Sequence, residues 1–141
     1  DEEDVVKKKI MSMFTDPNHL RVQDPGRVEG NPVFIYLDAF SRPEHFEEFL
    51  PEYQNLDELK AHYQRGGLGD VKVKKFLNNV MQAELGPIRE RRKMWEQRTA
   101  DVFDILKAGT EVAREKAAAT LHDVRSSMRI NYFEDQDFLN Q

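Results

Sequence analysis

The chain has 141 residues, a net charge of −5, 39% apolar and 33% charged side chains, and no cysteine. That length closes one core, while the missing cysteine excludes a disulfide framework, a thiolate zinc site and a cysteine nucleophile. No apolar run reaches the roughly 20 residues of a membrane span, the opening DEEDVVKKK is no signal peptide, and the lack of an initiating Met leads us to expect a piece of a longer protein.

Residues 1–14 predict a helix, with Val6, Ile10, Met13 and Phe14 on one apolar stripe. Asp16-Pro17 stops it, because the residue before proline avoids the helical region. A loop punctuated by Pro17, Pro25, Gly26 and Gly30 follows. Asn31-Pro32 reads as an N-cap and first helical residue, opening the nearly all-apolar PVFIYLDAF. A short helix then starts at Pro43 and ends near Pro51. Asn55 or Asp57 caps another, closed by Gly66-Gly67 in left-handed conformation. After the main helix, Thr99 or Asp101 opens a short helix ending at Gly109. A last one, from Thr110 to about Met128, carries Ala113, Ala117, Leu121, Val124 and Met128 on one face. No alternating strand pattern appears, so the predicted class is all-α. The tail 131–141 is acidic and aromatic, with Tyr132, Phe133 and Phe138.

The stretch Gly66–Gln97 stands apart. Residues 65–98 hold nine Lys/Arg against four Asp/Glu, so they are positive in a protein that is otherwise strongly acidic. GGLGD opens the helix, which is expected to break or bend at Gly86-Pro87. The turn resembles a phosphate cradle, but Asp70 sits where the phosphate would go, and plain capping is the favoured reading. At 100° per residue, Val73, Phe76, Leu77, Val80 and Met81 share the core face. Lys72, Lys75, Asn79 and Gln82 make a polar row, continued by Arg89 and Lys93. That row suits a nucleic-acid backbone with exposed bases, or else it is a solvated face laced with ion pairs. His19, His45, His62 and His122 lack metal-ligand spacing, and Glu47-Glu48 and Asp57-Glu58 need no catalytic role. The residues name no catalytic group and no metal site.

The strings KKKIMSMFTDPNHLRVQDPGRVEGNPVFIYLDAF and LKAHYQRGGLGDVKVKKFLNNVMQAELGPIRERR, with AGTEVAREKAAATLHDVRSSMRI, resemble the C-terminal helical domain of bacterial tryptophanyl-tRNA synthetases. The resemblance covers about residues 1–130. It implies a helical bundle of the class I anticodon-binding type, lying after the KMSKS loop. It further implies a parent that joins L-tryptophan to tRNA(Trp) through tryptophanyl-adenylate, using ATP and magnesium, as a cytoplasmic homodimer. Neither the HIGH nor the KMSKS signature is present, so no catalytic residue carries over and this piece is expected to be catalytically silent, with no cofactor of its own. By the same likeness Lys72, Lys75, Asn79, Gln82 and Arg89 become candidates for the tRNA anticodon loop. Gly86 departs from the acidic residue the family often has before Pro87, and the tail after Ile130 has no family role. The alternative is a helical protein-interaction module that binds an acidic partner or a second subunit.

Overall fold

Asn31 and Pro32 do what their order predicts. The Asn31 carboxamide oxygen accepts the Val33 amide at 3.0 Å, and the helix begins at Pro32. Asn55 likewise accepts the Glu58 amide at 3.0 Å and starts the helix at Leu56. In the computed structural model, which describes residues 1–132, six helices follow one another: α1 (Glu3–Met11), α2 (Pro32–Phe40), α3 (Pro43–Phe49), α4 (Leu56–Arg65), α5 (Asp70–Glu96) and α6 (Thr99–Ser127). Among the described residues there is no strand, and the class is all-α as expected. The chain divides into two compact units, Asp1–Arg92 and one beginning at Lys93.

The first unit carries the core. Val6 and Ile10 from α1 meet Phe34 and Leu37 of α2, Leu59 and Tyr63 of α4, and Phe76, Leu77 and Val80 of α5. The whole predicted core face of α5 is buried. Phe14 is the exception to the predicted α1 stripe: it is 63% exposed. The helix stops at Met11 with Ser12 as its C-cap, so Phe14 is no longer on the helical lattice that would aim it inward. The loop 15–31 is laid against the end of α4. The Gly26 amide donates to the Tyr63 carbonyl at 2.9 Å, and the Gly67 amide donates to the Val22 carbonyl at 2.6 Å. A Cβ on Gly26 would lie 2.3 Å from the Tyr63 ring, so only glycine permits this approach. Gly66 has positive φ (85°) as expected, but ψ is 162°, which is not the left-handed helical conformation.

α5 runs through Gly86-Pro87 without interruption. In the second unit, two expected helices are one. Gly109 lies inside α6, and the Thr110 hydroxyl donates to the Leu106 carbonyl at 2.8 Å instead of capping a new start. A glycine inside a helix costs about 1 kcal/mol against alanine, which a 29-residue helix absorbs. None of its residues is buried, and Ala113, Ala117, Leu121, Val124 and Met128 of the predicted face are all exposed. Phe133 and Phe138 of the tail lie outside the described residues, whereas Tyr132 is 49% exposed.

Candidate nucleic-acid interface

The amphipathic spacing of α5 turns its predicted polar row away from the core, but the row splits in two. Gln82 donates from Nε2 to the Glu3 carbonyl at 3.0 Å, and its Oε1 accepts from Arg89 Nη2 at 2.6 Å. Arg89 also lies 3.6 Å from the Glu3 carboxylate, and its side chain is only 12% exposed. These two candidates therefore clamp α1 to α5. Lys72, Lys75 and Asn79, further toward the N-terminus, stay exposed. Lys75 and Asn79 engage no other described side chain. Lys72 pairs with the Glu52 carboxylate and stands 5.9 Å from the centroid of the Tyr53 ring. Their hydrogen bond holds the Glu52 carboxyl below its usual range and raises the Lys72 ammonium.

Beside Lys72 opens a cavity of about 500 Å³, lined also by Glu52, Tyr53, Glu58, Ala61, His62 and Arg65. His62 Nδ1 and the Tyr53 hydroxyl are 2.7 Å apart. Burial lowers the His62 pKa, and the charges of Arg65 and Lys72 lower it further, which favours the neutral ring. Burial in turn raises the Tyr53 pKa. The Arg65 guanidinium forms no hydrogen bond or ion pair with another described side chain, and its charge acts on His62 and Tyr53. Sequence reasoning missed Arg65, His62 and Tyr53. The signal for Arg65 was present: it lies seven positions before Lys72 across the Gly66-Gly67 turn, which folds the end of α4 back toward the start of α5.

The two remaining ionic features at the start of α5 are internal. Lys74 donates to the Met13 carbonyl at 2.7 Å and to that of Met11 at 3.2 Å. Asp70 is more than a cap. Its Oδ2 accepts from the Thr15 hydroxyl at 2.6 Å, and its Oδ1 accepts from the Tyr63 hydroxyl at 2.6 Å and meets His19 Nδ1 at 2.9 Å. Burial pushes this carboxyl up, but the hydrogen bonds from Thr15, Tyr63 and His19 outweigh it and hold the pKa below the ordinary value. The anion at this helix N-terminus is thus supplied by the protein itself, and the phosphate-cradle reading falls. Among the described residues, no three His, Asp or Glu side chains are grouped to hold a metal ion, and no helix is long and apolar enough to cross a membrane.

No family model matches the chain. Over 133 residues, 94% of its length, it is 57% identical to the tryptophan–tRNA ligase of Clostridium longisporum, of which it covers 36%. It is 52% identical over the same span to that of Streptococcus mutans, covering 37% of that protein. The chain therefore spans little more than a third of the length of these curated relatives. Among solved structures it is similar to the tryptophanyl-tRNA synthetase of Campylobacter jejuni, with a TM-score of 0.65 and 23% identity over 91% of this chain and 38% of that one. That likeness supports the helical fold.

Proposed function

We infer that this chain, a homologue of part of the tryptophan–tRNA ligases, is the tRNA-binding helical region of such an enzyme and meets the anticodon loop along the start of α5. The observation that carries this reading is the exposure of Arg65, Lys75 and Asn79 beside the Lys72 cavity, none of them hydrogen-bonded or ion-paired to another described side chain. Cations set the register on a phosphate backbone, and an amide tests the edge of an unstacked base. Gln82 and Arg89 serve the same surface indirectly, by holding α1 against the helix that displays it. Residues 1–130 form the body of this region. The whole enzyme joins tryptophan to its tRNA with ATP and magnesium, as a cytoplasmic homodimer. On this reading that chemistry lies outside the stretch to which this chain corresponds.

Fluorescence anisotropy with a tRNA(Trp) anticodon stem-loop and a scrambled loop tests the reading. Lys75→Ala weakens both RNAs by a similar factor, about threefold to tenfold, because it removes a phosphate contact. Asn79→Ala narrows the gap between them. Neither variant lowers the melting temperature, since neither side chain supports the core. Equal, undetectable binding of both loops at low salt would overturn the reading. Binding of an acidic peptide in place of RNA would favour a protein-interaction module.

A further inference from the structure

A second cavity, of about 350 Å³, lies in the loop 15–31 and is bounded by Phe14, Asp16, Asn18, Arg27, Glu29 and Gly30 among others. We propose that it takes one unstacked nucleobase, stacked on Phe14; the cavity is argued from its own geometry, and the assignment of the base to an RNA loop rests on the function inferred above.

Phe14 is a large aromatic side chain, 63% exposed, yet its surroundings are anchored on both sides. The preceding Met13 carbonyl accepts the Lys74 ammonium at 2.7 Å, and the following Thr15 hydroxyl donates to Asp70 at 2.6 Å. The Asp16 carboxylate then accepts the backbone amides of Asn18 at 2.9 Å and Arg27 at 2.8 Å, tying the two limbs of the loop together. An exposed ring on a fixed base is a stacking platform that needs little ordering when a ligand arrives. Gly30 adds a bare stretch of wall: its φ is 73°, and a Cβ there would meet nothing within 4 Å.

The polar groups fit a nucleotide. The Asn18 carboxamide engages no other described residue, and its donor and acceptor can pair with a base edge. Arg27 stands at the rim, 3.6 Å from Glu29, with the two side chains 71% and 88% exposed. Such a pair is easily exchanged, which frees the guanidinium for a phosphate. Ligand pockets run from about 300 to 1,000 Å³, so this one suits a single ring system rather than a dinucleotide. Stacking is sequence-tolerant, and the edge contact to Asn18 is what would rank the bases.

The test is amide-detected NMR on the protein with CMP, AMP, UMP and GMP as probes and ribose 5-phosphate as the control without a base. The nucleotides are expected to shift amides of residues 14–18 and 27–31, while the control shifts at most those beside Arg27 and leaves residues 14–18 in place. Phe14→Leu, which should fold because the ring is exposed, weakens this binding about tenfold. Equal shifts with ribose 5-phosphate, shifts confined to other residues, or an unaltered Phe14→Leu titration would overturn the proposal. Titration with the anticodon stem-loop separates the two inferences. Stem-loop binding that Phe14→Leu leaves unchanged in affinity and base preference would remove the cavity from the interface. Nucleotide shifts at the cavity without stem-loop binding would keep the base site and overturn the anticodon reading.

Discussion

Asp70 shows how one side chain can settle a local arrangement that its sequence neighbourhood left open. In GGLGD it reads as a helix start, and that start is observed. Its three side-chain partners come from positions 15, 19 and 63, and no periodicity connects them. The carboxylate thereby joins the loop, α4 and α5 at one point. Asp70→Asn keeps the shape but removes the charge, and should lower stability at pH 7 by about 2 kcal/mol, the scale of hydrogen bonds to an ionised group. Because the folded-state pKa is depressed, this contribution is fully present above the unfolded value near 3.8 and is lost as the pH falls through the folded one. Urea melts from pH 7 down to pH 2.5 should show the wild type losing its advantage over Asp70→Asn at the acid end. A gap that stays constant across that range would mean the folded pKa is not depressed, and a gap that widens toward acid would mean the carboxyl is neutral in the fold.

Helices with a local start signal were legible from the sequence, and those bounded by longer-range contacts were less so. Asn31-Pro32, Pro43 and Asn55 each mark an observed beginning, and the spacing of α5 identified its buried face. Gly109 was misleading because a glycine can simply be carried within a long helix, as it is in α6. The actual end of α6 uses Arg129 at φ 54°, with the Ile130 amide donating to the Arg125 carbonyl, a closure that sequence alone assigns to glycine. Half of the candidate site was visible as a polar row. The clamp formed by Gln82 and Arg89 was not, because helix phase says which way a side chain points but not which other helix lies there. Lys74 makes the same point for α1. Its ammonium takes the Met11 and Met13 carbonyls, so a cation of α5 closes the C-terminal end of another helix. Lys74→Met retains the aliphatic stem and should cost about 1–2 kcal/mol. Faster amide exchange near residues 9–13 should accompany the loss, and a lower midpoint with unchanged exchange there would place the effect elsewhere.

At the scale of the molecule, the charge is divided rather than balanced. The total is −5 while residues 65–98 are net positive, so positive charge is concentrated in one stretch of an otherwise acidic protein. Such a field steers an RNA and, through phosphate contacts, supplies much of its affinity. Within the strip, Glu52 holds Lys72 and thereby withholds one of the cations that could meet a phosphate. Glu52→Gln removes that carboxylate while leaving a side chain of the same size at a half-exposed position. Affinity for the anticodon stem-loop should then rise about threefold to tenfold, and the plot of log affinity against log salt should steepen by about 0.7, the increment for one further phosphate on a single strand. A gain of this kind cannot arise from damage to the fold, so it is a stricter test than any loss. If Glu52→Gln binds more weakly, the carboxylate itself contacts the RNA, accepting from a base amine. If affinity and slope are both unchanged, Lys72 belongs to the α5 surface only structurally, and the interface contracts to Lys75, Asn79 and Arg65.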